Sequence, residues 1–160
     1  MKIAAVLLSM AVGACAWPQL VAAHALELPL HKAGLWQNDI EADGQHVSNQ
    51  QCFDDASQTK LVALSHAHCS AHQVTHNADG SWTSTGTCEF QKGTIVTSSS
   101  TISGDFNSKL TVMTDTTAPS ASHAAVTSTW LGVCKAGMTG GDVVMSDGSK
   151  INMLDEMGGQ

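Results

Sequence analysis

Much of this chain alternates side chains with a period of two, the signature of β-strands with unlike faces. Trp82, Ser84, Gly86, Cys88 and Phe90 fall on one face of such a segment, and Ala124, Val126, Ser128 and Trp130 on one face of another. The intervening positions are largely Thr and Ser, so one face is apolar or small and the other is hydroxyl-bearing. Turn signals punctuate the pattern at Asn77–Gly80, Gln91–Gly93, Ser103–Asp105 and Thr117–Ser120. They bound the β-prone segments Ser81–Phe90, Thr94–Ile102, Lys109–Thr116 and Ser122–Val133. Nearer the start, Ala42-Asp43-Gly44 separates segments 35–41 and 45–53, which predicts a hairpin. The next stretch reads differently. Asp54 and Asp55 stand in front and Lys60 behind, a charge order that complements a helix dipole and predicts one short helix near 54–63. Beyond Cys134 the chain is rich in Gly and Met, and Asp142–Met153 predicts a small hairpin about Asp147-Gly148, with a frayed end after it. The expected fold is mainly β: an antiparallel meander curled as a partial barrel, with that one short helix.

The first residues change the meaning of the rest. Lys2, the apolar run Ile3–Ala16 and the small residues Val21-Ala22-Ala23 together read as a secretory signal peptide cleaved after Ala23. Val12-Gly13-Ala14-Cys15 loosely resembles a lipoprotein box, so an acylated Cys15 is the alternative start. Cleavage after Ala23 leaves His24–Gln160: a leader over 24–33, one β domain over 34–135 and a Gly/Met-rich tail over 136–160. The expected location is periplasmic or secreted.

Removing residues 1–23 takes away one of seven basic residues and no acid, leaving six bases against fourteen acids. All seven bases are Lys. Phosphate recognition leans on Arg and Lys, so nucleic acid is not an expected partner, and anionic lipid surfaces are disfavoured for the same reason. No stretch of the mature chain is long and apolar enough to span a bilayer. With three Phe, no Tyr and, past the signal peptide, only Trp36, Trp82 and Trp130, the core is lean.

Gly34-Leu35-Trp36, Gln51-Cys52 before the short helix, a Cys69-to-Cys88 strand pair and Gly132-Val133-Cys134 together resemble the small exported bacterial proteins of domain-of-unknown-function family three-six-one-seven. The resemblance covers about residues 33–135. It implies export, one small β-rich domain and paired cysteines, and it implies no activity. The dense histidines between Cys69 and the turn depart from the family's usual pattern.

Four cysteines remain after cleavage, an even number that reads as two disulfides in an oxidising compartment. They allow three connectivities. Cys69 and Cys88 flank the Asn77–Gly80 turn and suit neighbouring strands of a hairpin, so Cys69–Cys88 is expected, which leaves Cys52–Cys134. A Cys52–Cys69 link is the outcome that would refute it.

His66, His68, His72 and His76 carry the strongest chemical signal. Their even spacing puts them on one face of a strand, and His68, His72 and His76 would also share a face of a helix. Neutral imidazoles so arranged are ligands for Zn²⁺, Cu²⁺ or Ni²⁺, on a strand for one ion between His66 and His68 and not for all four at once, against the plainer reading of a solvent face that uses His. Met138, Met145, Met153 and Met157 are spaced too irregularly to read as more than packing. No G-x-S-x-G, H-E-x-x-H or phosphate-cradling glycine loop occurs, nor any C-x-x-C. The expectation is a non-enzymatic exported β-domain with no cofactor, binding a partner protein or a small apolar ligand under the curved sheet. Trp36, Trp82 and Trp130 are the aromatic candidates for such a cavity, against the plainer and preferred reading of ordinary core residues. A metal-binding or buffering protein is the alternative, and a hydrolase with dispersed residues a further one.

Overall fold

The computed structural model describes residues 27–90 and 93–158, with the side chains of His66 and Phe90 excepted. The expected signal peptide, Cys15, His24 and part of the Gln91–Gly93 turn lie outside the described residues. Nine strands form a single antiparallel sheet in the order β3-β4-β5-β6-β7-β1-β2-β8-β9. The sheet is curled but open, with β3 and β9 at its edges. β1 (Gly34–Ala42) and β2 (Gln45–Phe53) form the expected hairpin. Asp43 and Gly44 both have positive φ, 50° and 79°, as a two-residue turn with the handedness of twisted strands requires. β3 (Cys69–His76), β4 (Trp82–Phe90), β5 (Thr94–Asp105), β6 (Lys109–Ala118) and β7 (Ser122–Gly132) form a continuous meander.

The β1–β2 hairpin does not add to the near end of that meander. β1 pairs with β7, the last strand of the run, so the first and last thirds of the domain meet at the middle of the sheet. β8 (Asp142–Met145) and β9 (Lys150–Asn152) form the expected tail hairpin, which extends the sheet beyond β2.

Two helices accompany the sheet. α1 (Asp55–Ala67) begins where the paired acids predicted but runs four residues past the expected end, through Leu64, Ser65, His66 and Ala67. Asp54 caps it: its carboxylate accepts from the Ser57 amide at 2.6 Å, and the Ser57 hydroxyl accepts from the Asp54 amide at 3.2 Å. Residues 159–160, the end of the stretch expected to fray, lie outside the described residues; α2 (Met153–Gly158) follows β9 and was not expected from sequence. Its first turn is fixed by the Asn152 side chain, which accepts from the Leu154 amide at 2.9 Å.

Both expected disulfides are present, Cys52–Cys134 and Cys69–Cys88. Cys69 and Cys88 face each other across β3 and β4. Cys52–Cys134 spans a larger step. Leu35 of β1 pairs with Cys52 on one side and Gly132 on the other, so the bridge ties β2 to the chain just past β7, and Leu35 and Cys52 are both buried there.

Candidate functional site

Strand register sorts the even-numbered side chains into cross-strand rows on one face. Trp82, Ile102, Val112, Val126 and Ile40 make an apolar row. Ser84, Ser100, Thr114 and Ala124 make a small and polar row beside it, where the Ser100 and Thr114 hydroxyls meet at 2.8 Å. Leu110, opposite Gly104 and Ser128, lies on the other side of the apolar row. α1 and the segment before β1 stand over this face.

A cavity of about 330 Å³ lies between them. Its sheet wall is Ser84, Ser100, Ile102, Leu110 and Val112, with Phe106 from the β5–β6 turn. Its other wall comes from α1 and from Leu28, Pro29, Leu30 and His31. Gln58, Leu61 and Val62 recur at helical spacing, which turns them to the same side of α1. A second hollow of about 390 Å³ adjoins the cavity and shares Leu28, Leu30 and Val62 with it. It adds Glu27, Thr59, Ser65 and His72. Volumes of this size are those of small-molecule sites, which are apolar with a few placed polar groups.

The segment 24–33, read from sequence as a leader, is described from residue 27 and is built into the domain. Gln58 binds it as a strand would, accepting from the His31 amide at 2.7 Å and donating to the His31 carbonyl at 2.9 Å. Further along, the Lys32 amide donates to the Phe106 carbonyl at 2.9 Å, and the Trp36 and Trp130 indoles donate to the carbonyls of Lys32 and Ala33. The Lys32 ammonium rests 3.5 Å above the Trp130 ring. His31 is thereby held among three aromatic rings. It stacks on Phe53 at 4.8 Å and meets Trp36 and Phe106 edge-on at 5.1 and 5.8 Å. Burial among these rings lowers its pKa, opposed by a hydrogen bond that the imidazole donates to the Gln58 side chain.

The four clustered histidines are not gathered on one face as expected. His66 is in α1, His68 is in the turn after it, and His72 and His76 are on β3. The physical reason is that α1 continues through Ala67 and the chain changes from helix to strand inside the cluster. His72 lies 3.3 Å from the Ser84 hydroxyl, and the His76 ring stacks on Trp82 at 4.4 Å. Among the described residues, no group of three or more His, Cys, Asp or Glu is placed to hold a metal ion. The tryptophans also sit elsewhere than a ligand cavity needs. Trp36 is fully buried and none of the three lines the cavity. The residues that do line it were missed from sequence, although the run Leu28-Pro29-Leu30 ahead of β1 was an available signal of a packed segment.

The family model described as Protein of unknown function (DUF3617) matches residues 31–134. The chain belongs to this family. No curated protein and no solved structure matches it. The DUF3617 match opens at the caged His31 and closes at Cys134, so it takes in β1 to β7, α1 and both disulfides. β8, β9 and α2 follow it.

Proposed function

We propose that this DUF3617 protein is an exported, non-enzymatic binding domain that holds a small apolar molecule in the cavity between α1 and the curled sheet. The observation that carries this reading is the lining: a space of about 330 Å³ walled by Leu28, Leu61, Val62, Ile102, Leu110 and Val112. Filling such a wall with ligand removes apolar surface from water at both partners. The two disulfides support an oxidising compartment, as does the short apolar run at the start of the sequence. The described residues contain no helix long and apolar enough to cross a membrane.

The test is saturable uptake of a fluorescent apolar probe, N-phenyl-1-naphthylamine, by the oxidised protein. One equivalent should bind in wild type. Val112→Trp, which places an indole in the cavity, should abolish uptake while keeping the native circular dichroism. Absence of uptake by wild type, or undiminished uptake by a folded Val112→Trp variant, would sink the reading. Native mass spectrometry of protein recovered from its own compartment then identifies the resident molecule.

A further inference from the structure

We propose that the ligand is a single-chain amphiphile with an uncharged hydrogen-bonding head, its chain lying over Ile102 and Leu110 and its head at the junction of Ser84, Ser100 and His72. The proposal rests on the cavity reading above and adds the ligand's polarity and direction.

The cavity has a polar side and an apolar side. Successive cross-strand rows on one face of a sheet are about 7 Å apart. The row of Ser84 and Ser100 comes first, then the row of Ile102 and Val112, then Leu110. Ile102 and Leu110 are buried. The opposite wall runs the same way. Ser65 of α1 lines the outer hollow, and Leu61 lines the inner cavity. At the apolar side stands His31, and Gln58 beside it has its amide engaged with the His31 backbone, so this end offers little to a polar head.

Ser84 marks where the two spaces meet. It lines the inner cavity, while His72, 3.3 Å from its hydroxyl, lines the outer hollow. A head placed there finds hydroxyl and imidazole groups able to donate or accept. Charge selects among heads. No Lys lines either space, the chain has no Arg, and Glu27 stands in the outer hollow. A carboxylate or phosphate head would lose its water without gaining a cation. A quaternary ammonium would have only the exposed Glu27 to meet, and with no N–H or O–H it could make no hydrogen bond to the hydroxyls of the Ser84–Ser100 row.

The experiment compares three probes with the same ten-carbon chain at about pH 7.5: decan-1-ol, decanoate and decyltrimethylammonium. Each displaces N-phenyl-1-naphthylamine from the oxidised protein. Decanol is expected to bind roughly ten-fold more tightly than either charged probe, a difference of about 1.4 kcal/mol. In Ser84→Ala/Ser100→Ala, checked for its native near-ultraviolet spectrum, that preference should collapse towards equality. If the naphthylamine and all three chains fail to bind wild type, the cavity reading itself is wrong. If the naphthylamine binds and the three chains bind equally, or a charged head binds best, the cavity reading stands and the head assignment is overturned. An undiminished preference in the double variant overturns the Ser84–Ser100 seat.

Discussion

His31 is the residue on which several features converge: it closes one end of the cavity, joins α1 to the sheet through Gln58, and packs on Phe53. Its imidazole is easiest to keep there in the neutral form, because burial among rings penalises the charge. A histidine whose folded pKa lies below the unfolded value of about 6.5 contributes stability that is complete above that pH and lost as pH falls below it. Thermal melts should therefore show stability declining as pH drops from 7.5 to 5. His31→Phe, which keeps a ring in the same place, should flatten that decline, and an unchanged slope would contradict this account. Asp142 acts in a different window. The Thr139 amide, then the Asn152 side chain and Lys150, hold its carboxyl down at about 2, against an ordinary value near 3.8. Its contribution is present above about pH 3.8 and disappears as pH falls towards 2. Asp142→Asn should thus remove an acid-sensitive step below pH 4 without touching the histidine step above it. A variant melt that tracks wild type between pH 4 and 2 would show that these bonds carry no linkage.

At the scale of elements, the motif Gly34-Leu35-Trp36 has a steric reason. Gly34 has φ of 133°, and a Cβ on it would strike the Gly132 carbonyl and the Trp130 indole. Close approach of β1 to the end of β7 therefore needs hydrogen at that position. Gly34→Ala should cost about 3 kcal/mol, read as a lowered urea midpoint with unchanged slope. A shift below about 0.5 kcal/mol would mean the two strand ends part easily. The same junction is clamped by Cys52–Cys134, whose sequence separation is 82, against 19 for Cys69–Cys88. On the chain-entropy model, losing the long link costs about 4.5 kcal/mol and the short one about 3 kcal/mol. Paired Cys→Ala variants should rank in that order, and a reversed ranking would assign the stabilisation to native-state packing instead. Strand positions were legible because alternation and turn residues are local: Asp43-Gly44 announces its own hairpin. The pairing of β1 with β7 was not, since nothing local to either strand names its partner. α1 was legible at Asp54, where capping is written in the sequence, and not at Ala67, where a helix-compatible run meets β3 without Gly or Pro. The histidine cluster misled for that reason: its spacing implies one face only if one element carries all four.

For the whole molecule, the balance of burial bears on what the cavity is for. Among the described residues the buried apolar side chains are few: Leu35, Trp36, Cys52, Ile102, Leu110 and Val143. Two of the six, Ile102 and Leu110, are cavity wall. A sheet of nine strands so thinly covered gains from its two covalent links, and a molecule filling the space beneath α1 would add to that stability. The candidate site was thus hidden from sequence for a structural reason. Its walls come from residues 28–31, α1 and β4 to β6, and only the curl of the sheet brings them together. A molecule that binds the folded state alone stabilises it by an amount set by concentration over Kd, about 2.7 kcal/mol at one hundred times Kd. In a domain of this size that is a rise in Tm of roughly 8–10 °C. Oxidised protein stripped of ligand by partial unfolding and gel filtration should melt lower than protein taken directly from its compartment. Adding decan-1-ol should restore the difference, and Val112→Trp, its cavity already occupied by an indole, should not respond. Equal melting of stripped and native wild type, with no response to added amphiphile, would place the stability in the disulfides and the sheet and leave the cavity without a part in it.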